Sequence, residues 1–60
     1  MPVIVVVTFD NGDVQEFKEI KEGSIKIEDG LLKMKDYYGF DRKVHVVNMT
    51  HVRSYEIKSW

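Results

Sequence analysis

Two side chains titrate near neutrality without help, His45 and His51. To hold a metal they need a third ligand, and Asp36, Asp41 and Glu56 are the carboxylates at hand. No zinc-like spacing joins these residues, and His45 lies between Val44 and Val46 in an alternating run. Both histidines therefore read as ordinary polar residues, one on a strand face and one in a turn. Nucleophilic catalysis has no better basis. Thr8, Ser24, Thr50, Ser54 and Ser59 supply hydroxyls, but none sits in a Gly-x-Ser-x-Gly elbow. Gly12, Gly23, Gly30 and Gly39 mark chain reversals rather than a phosphate-cradling loop, and turn chemistry accounts for Asp10, Asp13, Asp29 and Asp41. A chain this small rarely encloses a pocket able to bury a substrate. The reading is of a non-enzyme with no catalytic residue, cofactor, metal or small-molecule substrate.

The aromatic and basic residues carry more information. Tyr37, Tyr38 and Phe40 share one turn, Tyr55 and Trp60 lie near the end of the chain, and Arg42, Lys43 and Arg53 are close to them in sequence. Stacking rings interleaved with cations can hold single-stranded nucleic acid. The same residue types at a protein interface form a hot spot, because Tyr, Trp and Arg dominate binding energy there. They can also plug the open ends of a small β domain. With nine basic and ten acidic residues and a net charge of −1, no positive field favours phosphate. The candidate partner-binding residues are thus Tyr37, Tyr38, Phe40, Arg42, Arg53, Tyr55 and Trp60. The expected partner is a protein or a second copy of this chain, with single-stranded nucleic acid as the alternative.

These residues must be positioned by strands. Nine valines and five isoleucines, with no alanine, favour extended backbone over helix. The run Val3-Ile4-Val5-Val6-Val7-Thr8-Phe9 is apolar on both faces: Val3, Val5, Val7 and Phe9 point one way, Ile4, Val6 and Thr8 the other. Each face needs a cover, whether a curled sheet, a packed helix or another copy. Val3, Ile4, Val5, Val6 and Val7 are accordingly the candidate self-association residues. Pro2 fits the first position of the strand, and Asn11-Gly12 predicts a type I′ turn after it.

The next segment is ambiguous. Val14, Phe17 and Ile20 recur every three residues, Asp13 and Glu16 resemble a capping box, and Gly23 suits a helix C-cap. A strand with a β-bulge near Gln15-Glu16 explains the same spacing and follows directly from the hairpin signal. The strand is the primary expectation, and a short helix over 13–22 packed on an antiparallel sheet is the alternative. Beyond Gly23-Ser24 the pattern is clear. Ile25-Lys26-Ile27-Glu28 alternates, Asp29-Gly30 signals a second hairpin, and Leu32 and Met34 point inward while Lys33 and Lys35 point out. Residues 37–41 form a looser turn. Residues 43–48 make a strand with Val44 and Val46 opposite His45 and Val47. Met49-Thr50-His51 suits one 3₁₀ turn, and 52–60 is a last strand with Tyr55 and Ile57 on one face.

The chain reads as one all-β domain over 1–60, a five- to six-stranded antiparallel meander. Phe9-Asp10-Asn11-Gly12, Ile27-Glu28-Asp29-Gly30-Leu31 and Val46-Val47-Asn48-Met49-Thr50-His51-Val52 set out hairpin, hairpin, strand, tight turn, strand. That order resembles the SH3-like and Sm-like barrels, where a 3₁₀ turn separates the last two strands, and it implies closure into such a barrel. With no cysteine, neither a disulfide nor a thiolate metal site contributes. The first apolar run is too short to span a bilayer and lacks the flanks of a secretion signal, so a cytoplasmic setting is expected.

Overall fold

The computed structural model describes residues 1–39 and 43–59. They form six strands in chain order: β1 (Pro2–Phe9), β2 (Val14–Lys21), β3 (Lys26–Glu28), β4 (Leu31–Lys35), β5 (Val44–Asn48) and β6 (Val52–Ser59). Single 3₁₀ turns occupy Glu22–Ser24 and Met49–His51. The fold is all-β, with two antiparallel three-stranded sheets ordered β2-β1-β6 and β3-β4-β5. Among the described residues the strands do not close into a barrel. No helix among them is long and apolar enough to cross a membrane.

The core is where the inner faces of the two sheets meet. Val3, Val5, Val7 and Ile20 from the first sheet pack with Leu32, Met34 and Val47 from the second. The predicted inward pair of β4, Leu32 and Met34, is therefore buried, and of the two apolar faces of β1 the core takes the one with Val3, Val5 and Val7. Phe9, Phe17, Ile25, Met49 and Val52 complete the packing at its margin. As expected, His45 shares the inner face with Val47, while Val44 and Val46 lie exposed on the other side.

The 13–22 segment is a strand, not a helix, but its bulge falls later than Gln15-Glu16. Val5 pairs with Phe17 and Val3 with Ile20, so Lys18 and Glu19 together oppose Ile4. The extra residue brings Phe17 and Ile20 to the same inner face and puts Glu19 in the left-handed region at φ 57°. Val14 shares the outer face with its partner Thr8 and is 60% exposed. The three-residue spacing between Phe17 and Ile20 is thus the trace of the bulge, whereas that between Val14 and Phe17 reverses faces.

The first turn also departs from expectation. Type I′ needs positive φ at both central residues, but only Gly12 has it, at 93°. Gly12 N–H donates to the Phe9 carbonyl (3.0 Å) and Phe9 N–H to the Asp13 carbonyl (2.8 Å). This is a three-residue loop, a tight turn followed by a left-handed glycine. Asn11 stays right-handed because its Oδ1 accepts from the Asp13 amide and its Nδ2 donates to the Asp13 carboxylate, both at 3.0 Å. The second hairpin has two positive-φ residues, Asp29 at 53° and Gly30 at 74°, between the paired Glu28 and Leu31. It is the two-residue type I′ connection.

Candidate interaction surfaces

Among the described residues this arrangement leaves several surfaces open, and the first follows from strand order. β6 pairs with β1 on one side, and among the described residues nothing pairs with its other side. Its register runs unbroken from Ser54 to Ser59; the only irregularity is at its start, where Thr8 pairs with Ser54 and Phe9 with Val52. Tyr55 and Ile57 share a face, as the sequence pattern predicts, and because they lie opposite Val7 and Val5 that face is the core side. The second sheet does not cover them: Tyr55 is 41% and Ile57 45% exposed. An eight-residue edge strand with uncovered apolar side chains is a template for another strand.

The outer face of the first sheet is the second surface. Ile4, Val6 and Thr8 form a half-buried column along β1. Val6 is flanked across the strands by Glu16 and Glu56, and Ile4 by Lys58. Of the five candidate self-association residues, Val3, Val5 and Val7 are thus enclosed in the chain's own core. Ile4 and Val6 are the two available to a neighbour.

The third surface is a groove between β2 and β5, lined by Phe9, Gln15, Phe17, His45, Val47 and Asn48. Phe17 and His45 meet there with ring centroids 5.4 Å apart, and His45 Nε2 is hydrogen-bonded to Asp36 Oδ1 at 2.8 Å. This pair orients the imidazole against the Phe17 ring and accounts for both polar groups. His51 is exposed in the second 3₁₀ turn and contributes its carbonyl to the Asp10 amide. Among the described residues no three acidic or histidine side chains gather as a metal site would require.

Among the described residues, the aromatic and basic candidates lie in separate places. Tyr37 and Tyr38 stack edge-to-face at 4.8 Å, and the Tyr37 amide donates to the carbonyl of Glu19, in the bulge opposite Ile4. Arg53 instead donates through Nη2 to the Asp10 carbonyl (3.0 Å), beside the first turn. Ile4 and Asp10 are six residues apart, roughly 20 Å of extended chain. The tyrosine pair and Arg53 therefore sit at opposite ends of the sheet and on opposite edges. Tyr55 lies on β6 with Ile57 rather than with the tyrosine pair. Phe40, Arg42 and Trp60 lie outside the described residues.

Ile57, Glu56 and Lys58 were not among the interaction residues expected from the sequence. Their own alternation was readable, but the edge position that exposes them depends on which strand pairs with β1. No protein-family model, curated protein or solved structure matches this chain.

Proposed function

We propose that this chain is a non-enzymatic protein-interaction module that associates with a second copy of itself. The observation that carries the reading is uncovered apolar surface on a small scaffold. Val14, Ile27, Val44, Val46, Tyr55 and Ile57 are each more than two-fifths exposed in a chain of sixty residues. Burying such surface is the main drive for association. The connection order, with a single 3₁₀ turn between β5 and β6, supports an SH3-like or Sm-like relation between the two sheets. The single-strand nucleic-acid reading draws less support, because Arg53 is engaged with Asp10 and is distant from the tyrosine pair.

Sedimentation velocity over a wide concentration range tests the proposal. The expected result is a species of twice the 7.1 kDa chain mass that dissociates on dilution. A single 7.1 kDa species at every concentration overturns it. A labelled single-stranded oligonucleotide at low salt tests the other reading, which requires affinity that falls steeply as salt rises.

A further inference from the structure

The free edge of β6 has a sequence that is complementary to itself. We infer that two copies pair β6 against β6 antiparallel about a two-fold axis, with Ile57 facing Ile57 of the second copy. The inference rests on the self-association reading and specifies its surface and register.

Rival edges are shorter or blocked. β3 has three residues and β5 five, and the inner face of β5 is occupied by the Phe17–His45 contact. β2 has eight residues but is interrupted by the Lys18–Glu19 bulge. Its far end is also capped, by the Ile20–Asp36 bridge and the bond from the Tyr37 amide to the Glu19 carbonyl. β6 has neither device between Ser54 and Ser59.

Symmetry then limits the register. A two-fold axis normal to the sheet keeps core-side residues on the core side, so each residue meets one of its own parity in the second copy. Centring the axis on Glu56 sets two carboxylates face to face. Centring it on Tyr55 sets Ile57 opposite Arg53 and Lys58 opposite Val52. Centring it on Ile57 sets Ile57 against Ile57 and Tyr55 against Ser59, and it sets Glu56 against Lys58 twice. Only this last register joins an apolar pair on the core side to two opposite-charge pairs on the outer side. Glu56 and Lys58 are both exposed, and neither has an ionic partner within the chain among the described residues.

The natural chain contains no cysteine, so single thiols report the register directly. The test compares Ile57→Cys, Tyr55→Cys and Val6→Cys under mild oxidation, with sedimentation of the unmodified protein alongside. Residues directly opposite across antiparallel strands have Cα atoms about 5 Å apart, within disulfide reach, whereas the two 55 positions would be separated by roughly 13 Å. The expected result is fast covalent dimer formation at 57 and little at 55 or 6. As an independent measurement, Glu56→Lys and Lys58→Glu each weaken dimerisation about tenfold by setting like charges opposite, and the double exchange restores it. Preferred cross-linking at 55 overturns the register. Preferred cross-linking at 6 overturns the edge in favour of face-to-face packing while self-association stands. An unmodified protein that is monomeric throughout overturns both readings.

Discussion

The first sheet has two eight-residue edges, β2 and β6, and they are treated in opposite ways. On β2 a bulge breaks the pairing, Ile20 bridges to Asp36, and the chain turns away through a 3₁₀ turn. Ser24 secures that corner: its Oγ donates to the Lys21 carbonyl (2.6 Å) and accepts from the Lys35 amide (2.9 Å). On β6 the strand stays regular, and its core-side apolar residues stay in water. An isoleucine on each edge shows the result. Ile20 is fully buried, while Ile57, on the same face two strands away, is 45% exposed. One edge is used to join the two sheets, and the other is left with unused pairing capacity.

Substitution of that matched pair gives the largest contrast. Ile20→Glu puts a carboxylate at a fully buried position, a penalty of several kcal/mol that rivals the whole stability of a small domain. Circular dichroism should show it unfolded at room temperature. Ile57→Glu should keep a native spectrum and a thermal midpoint close to that of the parent monomer, yet sediment as a monomer at concentrations where the parent is dimeric. If both unfold, the two edges are not different in the way described.

Ser24→Ala probes how the β2 corner is held. It leaves the Lys35 amide without its side-chain acceptor, and the expected loss is about 1–2 kcal/mol in urea unfolding with no change in dimerisation. Loss of dimer in this variant would tie the two edges together and break the comparison.

The turn that delivers the chain to β2 depends on Gly12 at φ 93°, and that between β3 and β4 on Gly30 at φ 74°. A Cβ at either site meets open space, so the penalty is conformational rather than steric crowding by neighbours. Gly12→Val and Gly30→Val should each lower stability by about 1–2 kcal/mol or more in a thermal melt. A neutral result at both would remove the hairpin assignments.

Glu19→Gly is the smallest change. Glu19 holds the left-handed bulge position at φ 57°, where glycine is unstrained but loses more entropy on folding. The net effect should be a stabilisation of about 0.5 kcal/mol, seen as a small rise in thermal midpoint. A clear destabilisation would show that the bulge tolerates its glutamate without strain.

Much of this contrast is readable in the sequence, and the unreadable part has a definite cause. β3 to β5 follow from alternation, the second hairpin from Asp29-Gly30, and the Met49–His51 turn from the shortness of the segment between two strands, where the structure adds the Asn48 side chain accepting from the Thr50 amide. Local rules suffice because each feature is set by residues adjacent in the chain. The bulge was displaced because Phe17 and Ile20 encode it only jointly with the strand they face. Likewise, Val3, Val5 and Val7 carry the same residue type as Val6, and their burial was settled by the second sheet. The exposure of Tyr55 and Ile57 belongs to the same class, since it reflects where the second sheet stops covering the first and, among the described residues, the lack of a strand beyond β6. Among the described aromatic and basic candidates the separation of Arg53 from Tyr37 has the converse cause, because nearness in sequence to a turn did not bring the two together.

Backbone hydrogen exchange at two protein concentrations is the most direct test of the difference between the edges. In β6, the amides of alternate residues point away from β1 and exchange freely unless another strand accepts from them. Protection at these positions should rise with protein concentration, while the outward amides of residues 15–18 in β2 should not change. Concentration-independent exchange along β6, or a rise confined to β2, would contradict this difference.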